Sequence, residues 1–369
     1  MSRKALILYI SQYSGHYQAA SAIDEALKET YQGIQTQMIN AFDYTNPVLG
    51  KVINKTYIQL IKKKPHVWGS MYDNPNVLRK TKRAREALHK YNKSKIKKLI
   101  EAFSPDAVFC TQAFPCGMIA DYKRVSGKDV QLIAVLTDHA PHSYWLFDEV
   151  DYYVVPAEKT ADMLQQKGVS REKIKVYGIP VDSGFRREQD KLRIRDEYDI
   201  YSDKPTVLVM GGSQGLGAME DVVRSFVADE KHDYQVLVVT GTNKRLYSRL
   251  MKIVPKEQKS VRILPYIEKI EDLMEVSDIV ITKAGGVTTA EALAKKLPIL
   301  IVNPIPGQER MNTEFLVEEG AAVEVGEHGS IRDVIDGLFS SAGRLEKMKQ
   351  NAGRLARPDS ALRIAGLAG

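Results

Sequence analysis

Short apolar runs recur along the whole chain, separated by stretches with helical spacing. They are Ala5–Ile10, Ala107–Cys110, Leu132–Leu136 and Tyr152–Val155, then Thr206–Met210, Gln235–Thr240, Ile279–Thr282 and Ile299–Val302. Strands that alternate with helices are joined by crossovers and run parallel in a sheet covered on both faces. The pattern therefore predicts an α/β fold, and its two similar-sized sets predict two parallel-sheet domains. A chain of 369 residues is long enough to bury a core in each. The polar stretch 183–190, which follows Tyr177-Gly178-Ile179-Pro180-Val181, marks the expected junction.

Several classes are excluded early. Runs such as Leu297–Val302 fall far below the ~18 apolar residues of a membrane-spanning helix. Ala5–Ile10 leads into Ser11-Gln12-Tyr13-Ser14-Gly15-His16 without a small-residue cleavage pattern, so a strand and loop of a cytoplasmic protein are expected there. Cys110 and Cys116 suit neither a disulfide framework nor a four-ligand zinc site, and read as two reduced thiols.

Charge is unevenly placed. Residues 1–185 carry 26 Lys/Arg against 18 Asp/Glu, whereas 186–369 carry 27 against 28. The excess sits in Lys62-Lys63-Lys64 and in 79–98, where ten Lys/Arg meet one acid, Glu86. An anionic partner for the first domain follows. Within 47–73, Val48, Val52, Ile53, Tyr57, Leu60 and Ile61 recur at helical spacing before the lysine triplet and Trp68. This reads either as a core-facing helix with solvated lysines or as an amphipathic helix lying on a membrane, and the neighbouring basic run favours an anionic lipid surface.

Three elements in the second half carry chemistry. Val207–Met210 runs into Gly211-Gly212-Ser213-Gln214-Gly215-Leu216-Gly217 and then a helical pattern, a turn whose backbone N–H groups suit phosphate. It is not a P-loop, since Ala218 stands where lysine is required, and it misses the G-x-G-x-x-G order. A second glycine turn, Thr282-Lys283-Ala284-Gly285-Gly286-Val287-Thr288, opens a helix in which Glu291 can accept from both hydroxyls of a ribose. The third, Asn303–Asn312, leaves a strand end and is dense in side chains able to read sugar hydroxyls.

Together these resemble the donor half of GT-B nucleotide-sugar glycosyltransferases, and most closely the diacylglycerol glycosyltransferases. Gly15-His16, the aromatic-basic segment 57–72, Thr137-Asp138, Gly178-Ile179-Pro180 and a helical tail extend the resemblance over nearly the whole chain. It implies two Rossmann-like parallel-sheet domains facing a central cleft. Residues 1–185 would take diacylglycerol and the membrane, 200–345 the UDP-sugar, and 346–369 would form a tail packing back on the first domain. His16 would be the catalytic base of an inverting hexosyl transfer to the 3-hydroxyl of 1,2-diacylglycerol, glucose being favoured over galactose as donor. Gln12-Tyr13-Ser14 departs from the glycine-rich loop usual in relatives.

By the same resemblance Gly212, Ser213, Gln214, Gly215, Gly285, Gly286 and Thr288 would bind the donor. Tyr266 and Ile267 would hold uracil, Glu291 the ribose, and Gln308, Glu309 and Asn312 would lie near the hexose. Asp138 would orient His16 or contact the acceptor, with helix capping as the plainer role. Tyr57, Lys62, Lys63, Lys64 and Trp68 would meet the membrane, and Trp145 would line a lipid channel or simply pack. No Asp-x-Asp pair occurs and His139-x-x-His142 lacks a third ligand, so neither metal nor cofactor is expected. The partners implied are UDP-sugar, diacylglycerol and anionic lipids, at the inner face of the cell membrane. The competing enzyme is an N-acetylglucosamine transferase acting on an undecaprenyl-linked peptidoglycan intermediate. A nucleic-acid-binding protein would use 79–98 but would leave the three donor motifs unexplained, and no nucleic acid is expected. A sugar-nucleotide sensor without turnover would tolerate loss of His16.

Overall fold

The computed structural model describes residues 3–12, 14–48, 50, 80, 92–228, 233–326 and 329–369. Two compact units emerge: Met1–Ser183 with Ile305–Met311 and Asp359–Gly369, and Gly184–Pro304 with Asn312–Pro358. Among the described residues each unit holds one six-stranded, wholly parallel sheet.

The first sheet comprises β1 (Lys4–Tyr9), β2 (Gln35–Asn40), β3 (Ala107–Cys110), β4 (Gln131–Val135), β5 (Tyr152–Val155) and β6 (Ile174–Val176), in the order β2-β1-β3-β4-β5-β6. The second comprises β7 (Thr206–Met210), β8 (Gln235–Val239), β9 (Val261–Leu264), β10 (Ile279–Thr282), β11 (Ile299–Val302) and β12 (Ala322–Val325), in the order β12-β11-β10-β7-β8-β9. The chain reverses its direction of travel across each sheet, between β1 and β3 in the first and between β7 and β10 in the second. Loops on the two sides of such a reversal diverge at the strands' C-terminal ends and leave a crevice in which α/β proteins bind ligands.

Central strands such as β7 and β8 are buried along their whole length, which is why their Val and Leu runs are visible in the sequence. The strands that the apolar runs do not reveal are β2, β6, β9 and β12, and all four lie at sheet edges. An edge strand is half solvated, so QTQMIN in β2 and AVEV in β12 keep polar residues and lose the apolar signal.

Tyr57, Lys62, Lys63, Lys64, Trp68 and most of the basic run lie outside the described residues. The described end of that run is a helix over 92–103, with Ile96, Leu99 and Ile100 in the core and Lys93, Lys97 and Lys98 exposed. Here the lysines form the solvated face of a core helix. Among the described residues no helix is long and apolar enough to cross a membrane.

The helix Ala342–Leu355 stays with the second unit, and the chain joins the first only at Asp359 rather than at 346. The helix Ser360–Ala365 then packs on Gly15–Thr30, whose alanines at 20, 22 and 26 allow close approach beside Ile23 and Leu27. Ser360 Oγ donates to the Ile179 carbonyl at 2.8 Å, and the Arg363 guanidinium lies 5.3 Å from the Tyr177 ring centroid. Ile364 is fully buried in this contact. Ile364→Ala is expected to destabilise the first unit by about 2–5 kcal/mol, seen as a lower midpoint in thermal unfolding; an unchanged midpoint would show that the tail adds nothing to this core.

Candidate active site

His16 stands in the first turn of the helix Gly15–Thr30, directly after the β1 loop, with Ser14 as N-cap. The loop turns through Ser11 at φ 61°, a left-handed conformation that glycine adopts more readily. Ser14 holds it there: its hydroxyl lies 2.6 Å from the Ser11 carbonyl and 3.0 Å from the Ile10 carbonyl, and accepts from the Tyr17 N–H at 3.3 Å. A serine network thus holds the entry to the helix.

Across the β1/β3 reversal, His16 Nδ1 lies 2.7 Å from the carbonyl oxygen of Thr111, the residue after β3. A carbonyl only accepts, so Nδ1 carries the proton in this hydrogen bond, and the lone pair of the neutral ring is on Nε2. Thr111 Oγ1 donates back to the His16 carbonyl at 2.9 Å, and Thr137 Oγ1 lies 3.3 Å from Nδ1. Burial lowers the His16 pKa from 6.5, while the negative charge of Asp138 and the Thr111 hydrogen bond oppose that shift. The result is a neutral imidazole at neutral pH with a carboxylate nearby.

The other groups after β4 have different surroundings. His139 is buried and its pKa is pushed down to about 3 by desolvation, so it stays neutral across the working range. His142 caps the short helix Ser143–Trp145, its Nδ1 accepting the Tyr144 N–H at 3.2 Å. Trp145, expected to line a lipid channel or simply to pack, is only 5% exposed and belongs to the core of the first unit. Its backbone carbonyl accepts from the Tyr153 hydroxyl at 3.1 Å, which fixes the turn inward.

In the second unit the turn after β7 is closed by Leu216 N–H to the Gly211 carbonyl at 2.9 Å and Gly215 N–H to the Gly212 carbonyl at 3.0 Å. It packs against the turn after β8, where Ser213 O accepts the Thr242 N–H at 2.9 Å. Gly215, at φ 56°, faces the Thr240 carbonyl so closely that a Cβ would drive into it, and Gly241 meets the Ser213 carbonyl in the same way. Gly241 belongs to no glycine-rich motif, and its one signal in the sequence is its place at the end of the run Gln235–Thr240.

Across the β7/β10 reversal, the helix Gly286–Ala294 begins after the Gly285 N-cap with no side chain closing its end. A Cβ on Gly212 would lie 3.8 Å from Thr288 Oγ1, so the two glycine turns adjoin. Glu291 follows in the second turn of that helix, half-buried. Tyr266, beyond β9, is exposed and Ile267 half-buried. The Asn303–Asn312 residues sit differently from expectation. Asn312 is fully buried and donates to the Ala284 carbonyl at 2.9 Å, bracing the second glycine turn from beneath. Glu309 is buried and accepts the Ile305 N–H at 3.1 Å, holding its own loop. Only Gln308 of the three is partly accessible.

Comparison with known proteins follows this division. Residues 16–181 match the family model described as monogalactosyldiacylglycerol (MGDG) synthase, and residues 206–364 match that of the glycosyltransferase family 28 C-terminal domain. The chain is 30% identical over 352 residues to the processive diacylglycerol beta-glucosyltransferase of Bacillus licheniformis, covering 95% of this chain and 90% of that one. It is 27% identical over the same span to the enzyme of that name from Bacillus subtilis, with the same coverage. Among solved structures, an S. aureus MnaA–UDP co-structure superposes with a TM-score of 0.65 at 15% identity, covering 98% of this chain and 94% of that one. Acinetobacter baumannii MurG superposes with 0.63 at 16%, covering 99% and 98%. At such identities these two speak for the fold, which is GT-B with a Rossmann-like parallel sheet in each unit. Relatedness at 30% over nearly the full length speaks for more, and the chain belongs to the diacylglycerol glycosyltransferase family.

Proposed function

We propose that the chain transfers a hexose, glucose in preference to galactose, from a UDP-sugar to the 3-hydroxyl of 1,2-diacylglycerol with inversion, giving a β-glycosyldiacylglycerol. The observation that carries this reading is the 30% identity to a processive diacylglycerol beta-glucosyltransferase over 95% of the chain, together with the match of residues 16–181, beginning at His16 itself, to the MGDG synthase model. The first unit then takes the lipid and the second the nucleotide sugar.

The chemistry follows from the geometry of each unit. With Nδ1–H held by the Thr111 carbonyl, Nε2 is free to take the acceptor hydroxyl proton as that oxygen attacks the anomeric carbon. The bond from the anomeric carbon to the diphosphate oxygen breaks on the opposite face, and UDP departs. Asp138 stabilises the imidazolium that forms. Negative charge gathering on the leaving diphosphate meets the positive end of the helix Gly286–Ala294 and the backbone amides of the 211–217 turn. Glu291 accepts from the ribose hydroxyls, Tyr266 and Ile267 enclose uracil, and Gln308 reads the hexose. Glu309 and Asn312 act beneath the surface, by shaping the turns.

The enzyme would work at the inner membrane face, with basic residues supplying about 1 kcal/mol each toward anionic lipid. The test is UDP release from UDP-glucose and from UDP-galactose, with and without diacylglycerol in vesicles containing phosphatidylglycerol, followed by mass analysis of the lipid. Expected are release that requires diacylglycerol, a hexosyl-lipid product, and a loss of rate as salt rises. Turnover of UDP-N-acetylglucosamine with a polyprenyl-linked acceptor, and of neither hexose donor, would replace this reading. Rates indifferent to anionic lipid and to salt would remove the membrane partner alone.

A further inference from the structure

We propose that Thr111 is the positioning residue that fixes the tautomer and aim of the His16 imidazole, through a two-point clamp made by its carbonyl and its hydroxyl. The inference rests on the reading of His16 as the base and extends it to a residue in another element, 95 positions away in the chain.

The two contacts run in opposite directions between the same pair of residues. The Thr111 carbonyl accepts from Nδ1 at 2.7 Å, and the Thr111 hydroxyl donates to the His16 carbonyl at 2.9 Å. One contact sets the rotation of the ring, and the other sets the backbone that carries it. The second contact does not rescue an orphaned carbonyl. The His16 carbonyl lies inside the helix Gly15–Thr30, where the backbone N–H four residues on is its ordinary partner. The hydroxyl therefore adds a bond to a carbonyl that helix geometry already serves, and its consequence is positional.

Thr111 itself is held rigidly. It is fully buried, and its N–H donates to the Leu8 carbonyl at 3.1 Å, which continues the β1–β3 pairing by one residue. The clamp thus ties the base to the end of β3, the far side of the reversal from the loop that carries it. A base on a helix's first turn, beside a loop held by serine contacts, needs such an external anchor if Nε2 is to present its lone pair in one direction. Thr137 Oγ1, at 3.3 Å from Nδ1, makes the longer and weaker contact and is not the one that decides the tautomer.

Thr111→Val removes the hydroxyl at nearly constant shape, and Thr111→Ser retains it. The readouts are nitrogen and ring-carbon NMR shifts of the His16 imidazole, identified by their absence from His16→Ala, together with kcat and KM for the UDP-sugar. Thr111→Val keeps the carbonyl but releases the His16 backbone, so the Nδ1–carbonyl contact should lengthen, the Nδ1–H tautomer should give way to a mixture, and kcat should fall roughly 10- to 100-fold with donor KM changed little. Thr111→Ser should restore both, and Thr137→Val should keep the wild-type tautomer. An unchanged tautomer in folded Thr111→Val overturns the proposal whatever the rate. A changed tautomer with unchanged kcat, in an enzyme silenced by His16→Ala, also overturns it. A changed tautomer in an enzyme that His16→Ala leaves active upholds the clamp and overturns the base assignment instead. If Thr111→Val unfolds, Thr111→Ala in the same assay decides, since it too removes the hydroxyl while leaving the carbonyl.

Discussion

Replacing His16 with alanine is expected to lower kcat by roughly 10²–10⁴-fold, the range that a positioned general base contributes, while UDP binding stays within about twofold, because the nucleotide elements are in the other unit. The pH dependence sharpens this. The base works in its neutral form, and burial lowers its pKa below the ordinary 6.5, so the acid limb of kcat/KM should lie below that value. Asp138 opposes the shift because its negative charge favours the imidazolium. Asp138→Asn should therefore move the acid limb to still lower pH and slow the reaction, since the imidazolium formed during transfer loses its countercharge. A limb that moved to higher pH would show that Asp138 acts otherwise, and glycolipid synthesis retained by His16→Ala would remove the base from the mechanism.

Gly215→Ala is the second large effect. At φ 56° an L-residue costs about 1–2 kcal/mol, and the added methyl also meets the Thr240 carbonyl. Two turns have to part to admit it, and the amides of the 211–217 segment then leave the position that suits a diphosphate. Calorimetric titration should show UDP affinity lower by at least about tenfold, with the thermal midpoint falling much less than binding does. Wild-type UDP affinity in this variant would mean that the turn after β7 is a structural corner with no part in donor binding.

The two glycine turns were legible in sequence because their requirement is local. Each follows a buried strand and opens a helix, so the glycines stand at fixed offsets from an apolar run. His16 was legible through resemblance, since a lone histidine after a strand carries no periodic or spacing signal of its own. Trp145 shows the opposite case. An aromatic beside a candidate site reads as a ligand contact, but whether it faces solvent or core depends on how the 143–145 turn is held by Tyr153. Asn312 and Glu309 likewise read as hexose contacts from their chemistry, and burial turns that chemistry inward, to the Ala284 carbonyl and the Ile305 N–H.

By itself the sequence determined the alternation of strands and helices, the two parallel sheets, the glycine turns and the uneven charge, all properties of residues near one another in the chain. Only the tertiary structure decided the edge strands, the return of Asp359–Gly369 to the first unit, and the pairing of His16 with Thr111. Periodicity records which face of an element is buried, because burial acts on every turn or every second residue. It holds no record of which distant backbone group a side chain will meet, since that is set by the order of the strands in the sheet.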